Sequence, residues 1–515
     1  MPNPTVLVSR VLSVALFCPC LVDTAISAER PNILWLFSDD HAVNSVGAYG
    51  GHASGFTPNL DRLAAGGVTF DRAYVANSIC APSRATLLTG KHSHKNSKFT
   101  NKSNEPFDHD QPQVQKYLRE SGYRTAMIGK IHLNGAMQGF DHWEVLKGQG
   151  RYEDPILLSE NGSKTYEGHS SDVVTDIALE WLDDAAERPE PFFAMVHYKA
   201  PHRWWLPSDR WKKKLEGVES EEPASLFDDY SGRGFAAGNQ DMSIEETMSL
   251  GRDLKADIWP ERAELFAGLE GRELVRTKFQ AYMRDYVACV AGMDENIGRL
   301  LDWLDETGLA ENTVVMYSSD QGFYLGEHGW FDKRFMYEES FRTPLIARWP
   351  GVTDPGSRCD ALVQNIDYAE TFLEIAGVDV PGDMQGRGLT PLLKGEAPAD
   401  WRDSLYYHYY EYPRPHRVVP HEGVFDGRFK LIRFYHEDVP GGEEWELYDL
   451  ETDPNEMRSV YQDPAMADRV ATLKTELARL RDFYDVPADH GWSEIPADQP
   501  KRKQPKAQKP KRTKG

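Results

Sequence analysis

The chain has 515 residues, of which 40% are hydrophobic and 27% are charged. These globular values exclude a disordered chain, a collagen-like fibre and a small disulfide scaffold, and the length predicts about two to four domains. Residues 501–515 carry eight Lys or Arg and no acid, so the remainder has 50 basic and 81 acidic residues and a net charge of −31. A body this acidic excludes general binding to nucleic acid, and an anionic substrate would need positive charge concentrated at its site.

The first 28 residues have the pattern of a signal peptide. Arg10 precedes the apolar run 11–22, and the small residues Ala25, Ser27 and Ala28 follow it. The run is too short to span a bilayer, and no other stretch approaches 18 apolar residues. We therefore expect export to the periplasm or the medium, no stable membrane span, and a folded part that begins near residue 29.

Continuous apolar runs separated by amphipathic segments predict an α/β fold. Runs typical of strands buried on both faces occupy 32–38, 124–128, 191–197 and 313–318. Helical patterns begin at Thr57-Pro58 and occupy 113–121 and 282–306. We expect residues 29–395 to form one α/β domain with a mostly parallel central sheet flanked by helices, and the charged segment 208–278 to be a helical insertion over that sheet.

The pattern changes near Gly395. Short alternating segments at 405–412, 423–426, 429–435 and 444–448 predict a small antiparallel sheet. A helical pattern over 465–483 is expected to lie on this sheet, which completes a C-terminal α+β subdomain over 396–499. The Lys-, Pro- and Gln-rich tail 500–515 is expected to be disordered.

Pairs of oxygen-bearing side chains follow two of the predicted strands. Asp39-Asp40 comes directly after the first strand, and Asp320-Gln321 follows the strand that begins at residue 313. In an open parallel sheet, ligands bind beyond the carboxyl ends of the strands. Three carboxylates and an amide oxygen at one edge would suit a hard cation, Ca²⁺ or Mg²⁺. Taken alone, each pair could instead be a helix cap or a solvated turn.

Cys80 lies in the motif Cys80-Ala81-Pro82-Ser83-Arg84, which continues to Thr89-Gly90. Pro82 suits a helix start, so Cys80 would face the positive end of a helix, and Arg84 adds charge. Read locally, this is either a nucleophilic thiol of low pKa or a buried cap residue. Cys289 and Cys359 are too few for a disulfide framework, and whether they pair is left open.

The whole pattern resembles the signature of the type I sulfatases, in which this Cys is oxidised to formylglycine by a formylglycine-generating enzyme. The resemblance covers most of the chain, 30–483, and further blocks carry it: Gly129-Lys130-Ile131-His132, Ala200-Pro201-His202, Ser319-Asp320-Gln321-Gly322, Gly326-Glu327-His328-Gly329 and Lys333. One departure is Gln321, where many relatives have Asn or His; its amide still offers an oxygen to a metal.

The resemblance implies an alkaline-phosphatase-like fold with a small C-terminal sheet. It implies a bound Ca²⁺, in preference to Mg²⁺, with the ligands Asp39, Asp40, Asp320, Gln321 and the modified Cys80. It also implies a catalytic set that consists of Cys80, Arg84, Lys130, His132, His202 and Lys333.

The roles of that set follow from the family mechanism. The hydrated aldehyde at position 80 would attack the ester sulfur while Arg84, Lys130 and Lys333 supply positive charge. His202 would protonate the leaving oxygen, and His132 would act on the second hydroxyl of the hydrate. His328 either contacts the substrate or closes its loop.

The substrate is expected to be a sulfated polysaccharide or oligosaccharide, because the segments 321–342 and 406–417 most resemble those of bacterial glycan sulfatases, including N-acetylglucosamine-6-sulfatase-like and ulvan-type enzymes. Aromatic and basic residues in 406–417 could stack on sugars, with Arg414 and His416 as substrate contacts. The alternative for this segment is a core strand followed by a loop. The sugar, the sulfated position, and exo or endo action stay open.

Three other functions fit parts of the pattern. An arylsulfatase or choline-sulfatase would use the same residues on a smaller substrate. A phosphodiesterase or phosphonate monoester hydrolase could use the same fold and site. Phosphodiesters and phosphonate monoesters carry one negative charge, as sulfate monoesters do. A secreted non-enzyme could bind sulfated glycans through the basic tail, but the intact set of Cys80, Arg84, Lys130 and His132 argues against it.

Overall fold

The computed structural model describes residues 1, 30–102, 105–413 and 415–489. The predicted signal peptide, apart from Met1, and the predicted tail 500–515 lie outside the described residues, as does Arg414. Within these ranges the strands are β1 Asn32–Ser38, β2 Val68–Phe70, β3 Ala73–Tyr74, β4 Arg124–Gly129, β5 His142–Leu146, β6 Ile156–Ser159, β7 Gly162–Thr165, β8 Phe192–His197, β9 Thr313–Ser319, β10 Leu345–Arg348, β11 Ser357–Cys359, β12 Val363–Gln364, β13 Leu405–Tyr409, β14 His421–Phe425, β15 Phe429–Tyr435 and β16 Glu443–Asp449.

A large sheet organises the first domain, with the strand order β11-β2-β10-β9-β1-β8-β4-β5-β6-β7. Its centre is parallel, since β9, β1, β8, β4 and β5 run in one direction. Strand β10 is antiparallel to β9 and β2, and β6 is antiparallel to β5 and β7. The sheet is mixed but mostly parallel, which confirms the predicted fold class.

Helices cover both faces of this sheet. The helices of the described residues are α1 Pro58–Ala65, α2 Cys80–Thr89, α3 Ser93–Asn96, α4 Val114–Glu120, α5 Ser170–Ala186, α6 Asp209–Lys214, α7 Phe235–Asn239, α8 Pro260–Phe266, α9 Gly271–Glu306, α10 Glu338–Phe341, α11 Tyr368–Ile375, α12 Thr390–Leu393 and α13 Ala467–Phe483, the last of which lies on the C-terminal sheet. Alternate residues of β1 enter different cores: Leu34 and Leu36 join the side covered by α1, α5 and α9, and Trp35 joins the side covered by α2, α4 and α11. Burial on both faces explains the unbroken apolar run of this strand.

The parallel register brings the carboxyl ends of β1, β4, β8 and β9 to one edge. Ser38 is opposite Ser319, and Phe37 is opposite His197, which is in turn opposite Gly129. The segments that follow these four strands therefore converge on a single region, and they carry most of the residues predicted to be functional.

The C-terminal part is a four-stranded antiparallel sheet in the order β13-β14-β15-β16. One face, with Tyr406 and Leu431, packs on α13, and the other, with Tyr407 and Ile432, packs on aromatic residues of the first domain. Because both faces are covered, the aromatic side chains of β13 are core residues. The prediction that residues 406–410 stack on sugars is therefore wrong, and the alternative, a core strand, is correct.

The segment 208–278 contains the short helices α6, α7 and α8, joined by turns, and the first residues of α9. Helix α9 begins at Gly271, well before the predicted start at residue 282. Its first turn, 271–274, is largely exposed and continues the charged pattern of the preceding segment, so the sequence does not indicate this start. In the described part of the chain, no helix is both long enough and apolar enough to cross a membrane. Cys80, Cys289 and Cys359 are free thiols, so Cys289 and Cys359 are not bridged.

Candidate active site

Cys80 is the first residue of α2 and is fully buried at the convergent edge of the sheet. The preceding Ile79 is extended, and the Ala81 amide donates to Asn101 Oδ1 at 2.9 Å. Burial raises the pKa of the Cys80 thiol to about 12, an effect that outweighs the opposing charges of Lys333 and Lys130. The interpretation as a low-pKa thiol is therefore wrong: the unmodified thiol stays protonated at neutral pH and is a poor nucleophile.

Three buried carboxylates meet beside Cys80. Asp39, Asp40 and Asp320 each place an oxygen within 4.8 Å of the others, and the Asp40 amide donates to Asp320 Oδ1 at 3.0 Å. Burial raises the pKa of Asp320 to about 8, and the neighbouring charge of Asp39 adds to the effect. Asp40 also has a left-handed backbone with φ of 67°, a conformation that non-glycine residues adopt rarely and mostly where function requires it.

Gln321 completes an oxygen-rich pocket among these acids. Its Nε2 donates to Asp320 Oδ1 at 2.8 Å and to Asp40 Oδ1, and it lies 4.0 Å from Cys80 Sγ. Its Oε1 and the Oδ1 of Asp39 are buried and have no hydrogen-bond partner among the described residues. A buried hydrogen-bond acceptor that has no donor is energetically costly. Oxygen atoms are the ligands that hard divalent cations prefer. The residues present therefore fit a Ca²⁺ or Mg²⁺ site.

Two lysines contact the carboxylates from opposite sides. Lys130 Nζ contacts Asp39 Oδ2, and Lys333 Nζ lies 2.5 and 2.7 Å from the two oxygens of Asp40. Gly129 positions Lys130: its φ is +101°, and a Cβ there would lie 2.0 Å from the carbonyl oxygen of His197. Burial alone would raise the pKa of Asp39, but Lys130 and other nearby cations hold it well below its usual value.

Arg84 anchors the acids from within α2. Its Nε donates to Asp320 Oδ2 at 3.0 Å, Nη2 lies 3.6 Å from Asp39 Oδ1, and Nη1 donates to the Lys130 carbonyl at 2.6 Å. The guanidinium is fully buried and occupied by these partners. The geometry therefore indicates that Arg84 orients the carboxylates.

Two histidines border the cluster. His202 Nε2 lies 3.7 Å from Asp40 Oδ2, and its Nδ1 contacts the Arg203 carbonyl. Burial, reinforced by Lys130, lowers the pKa of His202 well below its usual value. His132 has the same shift for the same reasons, and its Nδ1 has no hydrogen-bond partner among the described residues. Both rings are neutral in the resting site.

His328 does not join the cluster. It is fully buried, with Nδ1 3.2 Å from Asp228 Oδ2 and 3.0 Å from Arg233 Nη1. Its contacts therefore favour the loop-closing alternative over a substrate contact. His416 lies nearer, since its Nε2 is 3.2 Å from Asp332 Oδ2, the residue before Lys333. Arg414 lies outside the described residues.

A second layer of residues, which the sequence motifs do not indicate, lies behind Lys130 and His202. Gln149 Oε1 accepts from Lys130 Nζ at 2.6 Å, and Lys199 Nζ donates to the Gln149 carbonyl at 3.1 Å. Tyr152 donates to the His202 carbonyl at 2.6 Å. Gln149 lies in a turn between two glycines and carries no sequence signal, whereas Lys199 stands directly before the recognised Ala200-Pro201-His202 block.

Family profiles match almost the whole described chain. The profile described as "Sulfatase" matches residues 31–378, and the profile "N-sulphoglucosamine sulphohydrolase, C-terminal" matches residues 326–483. The chain is 44% identical to an N-acetylglucosamine-6-O-sulfatase of Bacteroides thetaiotaomicron, over 94% of this chain and 91% of that protein. It is 28% identical to the human N-acetylglucosamine-6-sulfatase, over 76% of this chain and 69% of the human protein.

Solved structures of other proteins share the fold of this chain. One structure, in complex with its substrate D-glucosamine-2-N,6-O-disulfate, superposes with a TM-score of 0.86 and 42% identity over 90% of this chain and all of that chain. A phosphonate monoester hydrolase from Silicibacter pomeroyi superposes with a TM-score of 0.71 and 23% identity over 88% of this chain and 95% of that chain. The latter shows a shared fold alone.

Removal of a divalent cation should lower the thermal stability of the protein. A ligand that binds only the native state stabilises it by about 2.7 kcal/mol at a hundredfold excess over Kd. We expect EGTA to lower Tm in scanning calorimetry and added Ca²⁺ to restore it. Asp320→Asn should remove this response, whereas Asp184→Asn, in an exposed pair with Arg188, should retain it. A wild-type Tm that chelation and Ca²⁺ both leave unchanged would contradict the metal site.

Gln149→Leu should reduce turnover by loosening Lys130. A hydrogen bond to a charged group contributes about 1.5–3 kcal/mol, so we expect kcat to fall about 10-fold or more while Tm changes little. Gln149→Glu keeps an acceptor at this position and should retain most activity. Gln138→Leu, which removes an exposed hydrogen bond to Asp110, is the matched control. Equal steady-state rates for Gln149→Leu and Gln138→Leu would show that Gln149 does not position Lys130.

Proposed function

We propose that this chain removes 6-O-sulfate groups from glucosamine-type sugars of a sulfated glycan. The chain belongs to the sulfatase family and hydrolyses sulfate esters. The observation that carries the proposal is the 44% identity to an N-acetylglucosamine-6-O-sulfatase over nearly the full length of both chains. The complex of a similar protein with a 6-O-sulfated glucosamine supports the same substrate class. The lysines beside Asp39 and Asp40 provide the local positive charge that an anionic ester needs in an acidic protein.

The proposal includes a formylglycine made from Cys80 and a bound Ca²⁺. The aldehyde hydrate supplies a nucleophilic hydroxyl that a buried, protonated thiol cannot match. Asp39, Asp40, Asp320 and Gln321 would hold the ion, which lowers the pKa of a bound hydroxyl and neutralises sulfate oxygens. A formylglycine-generating enzyme is then a required partner during maturation, and the pattern of residues 1–28 supports export.

Lys130 and Lys333 bind the sulfate oxygens in this proposal. Each is buried and contacts a metal-binding carboxylate, so each ammonium is held in place without reorganisation when charge develops on the sulfate. Arg84 keeps Asp39 and Asp320 in position from the side of α2. His132, beside Lys130, holds or accepts the proton of the hydroxyl that does not attack.

His202 is the proposed proton donor to the leaving oxygen. Hydrolysis breaks the S–O bond and must give the departing sugar oxygen a proton. The ring is neutral in the resting site because burial and Lys130 lower its pKa. A bound anionic ester places negative charge near His202 and raises that pKa, so substrate binding favours the protonated form that can donate.

An arylsulfatase or choline-sulfatase activity stays a second candidate, since the residues that contact sulfate would be the same. The likeness to a phosphonate monoester hydrolase rests on the fold and favours no phosphorus substrate. A panel of sulfated monosaccharides, nitrophenyl sulfate, choline sulfate and a phosphonate monoester, assayed for kcat/KM, tests the proposal. It fails if a substrate other than a 6-O-sulfated glucosamine is the best of the panel.

Cys80 should be converted to formylglycine in a host that has the generating enzyme. Mass spectrometry of the tryptic peptide should show loss of the thiol and gain of an aldehyde, and activity should rise with the converted fraction. Cys80→Ala should fold, with a small fall in Tm because the lost sulfur is buried, and should lose turnover. Full activity in a preparation that contains only unmodified Cys80 would contradict the proposed nucleophile.

His202→Ala should slow sugar sulfates much more than nitrophenyl sulfate. A sugar alkoxide is far more basic than a nitrophenolate and needs a proton as it departs, and such an acid contributes about 10²–10⁴-fold. Lys333→Ala should instead slow both substrates, because both present the same sulfate. Equal losses of kcat for the two substrates in His202→Ala would assign the residue to binding, and the proton donor would then have to be another group.

A further inference from the structure

An exposed aromatic–cationic pair lies at one rim of the catalytic cluster. Trp204 is 51% exposed, although the adjacent Trp205 is fully buried. The guanidinium carbon of Arg252 lies 5.8 Å from the centre of the Trp204 ring, and the Arg252 side chain is 52% exposed. A large indole face beside a solvent-facing guanidinium offers an apolar surface and a positive charge to the same ligand.

A chain of contacts joins this pair to the reaction centre. Asp253 accepts from Arg252 Nε at 3.3 Å and binds Arg203 through both carboxylate oxygens, at 3.0 and 3.2 Å. Arg203 Nη1 lies 3.7 Å from Asp332, which directly precedes the sulfate-facing Lys333.

The backbone provides a second connection. Trp204 follows His202 by two residues, and His202 Nε2 lies 3.7 Å from Asp40 Oδ2 in the metal-binding cluster. The backbone therefore holds Trp204 within two residues of the proposed proton donor.

A guanidinium reaches solvent at this rim, although the chain as a whole carries −23. Asp253, which is fully buried, binds both Arg203 and Arg252, and Arg203 also lies 3.7 Å from Asp332. Arg203 is mostly enclosed, with 12% of its side chain exposed, so Arg252 is the arginine of this pair that faces solvent. An anion that approaches the rim would meet Arg252 first.

We propose that Trp204 and Arg252 form a subsite for the ring and a second anionic substituent of a sulfated sugar, away from the sulfate that is hydrolysed. This inference rests on the proposed function. The C–H face of a pyranose covers the indole, and the guanidinium pairs with a sulfamate or a carboxylate. That anion is either a substituent of the sugar that loses its sulfate or the uronate of the neighbouring sugar.

The Trp204 half of the subsite is tested with N-acetylglucosamine 6-sulfate. Trp204→Ala should lower kcat/KM about 10-fold, mostly through KM, while Trp204→Phe retains most of it. The inhibition constant of inorganic sulfate should stay unchanged, because that ion occupies the reaction centre alone. Phe483→Ala, which removes another exposed aromatic side chain, is the control. A wild-type KM in Trp204→Ala overturns the stacking role.

The Arg252 half is tested by comparing substrates with one and two anions. Arg252→Gln leaves Asp253 bound to Arg203 and to the Ser249 amide, so it should fold. We expect the preference for glucosamine 2-N,6-O-disulfate over N-acetylglucosamine 6-sulfate to fall about 5-fold at low ionic strength, and less in high salt. Arg188→Gln, which changes an arginine of similar exposure that is paired with Asp184, is the control.

A uronate-linked disaccharide with a 6-O-sulfated N-acetylglucosamine distinguishes the two sources of the anion. A loss with the disulfated monosaccharide assigns the anion to the reacting sugar, and a loss confined to the disaccharide assigns it to the neighbour. Unchanged values for all three sugars in Arg252→Gln overturn the anion subsite. If the wild-type enzyme hydrolyses nitrophenyl sulfate but none of these sugars, the proposed function fails and the subsite fails with it.

Discussion

The structure depends on a buried cluster of opposite charges at the carboxyl edge of the central sheet. Asp39, Asp40 and Asp320 face Arg84, Lys130 and Lys333, and none of the six is more than 2% exposed. Each buried ion costs several kcal/mol of desolvation, which only close pairing can offset. The cluster combines three acidic and three basic side chains, so a bound divalent cation would make the site net positive. Such a site attracts a sulfate monoester even though the surrounding body is strongly acidic.

Strand placement could be predicted from the sequence because burial on both faces requires unbroken apolar runs. Strands β1 and β9 were predicted with almost their observed bounds, and the pairs of oxygen-bearing side chains follow them directly. Because the carboxyl ends of parallel strands lie at one edge of a sheet, the residues that follow β1 and β9 come together there. The antiparallel β10 and β2 were not predicted, because they are short segments whose pairing depends on contacts distant in sequence.

Predictions from local residue chemistry are wrong where burial determines the property of a side chain. A helix start and nearby cations around Cys80 favour a low-pKa thiol, yet complete desolvation outweighs them and raises the pKa. The aromatic run of β13 has the composition of a sugar-binding surface, but α13 and the first domain cover its two faces. The role of Gln149 could not be predicted from the sequence, since its contact with Lys130 forms only when a glycine turn meets the end of β4.

The fold by itself does not select the reaction. A phosphonate monoester hydrolase shares the architecture at a TM-score of 0.71 and 23% identity, so the architecture alone does not identify the ester that is hydrolysed. Selection must come from side chains that converge on that edge and on its rim. In this chain Arg84, Lys130 and Lys333 each contact a carboxylate of the cluster, and the solvent-facing guanidinium of Arg252 lies beside Trp204. If Trp204 and Arg252 bind the sugar as proposed, recognition of the ester group and recognition of its sugar depend on different residues, and one can vary without disturbing the other.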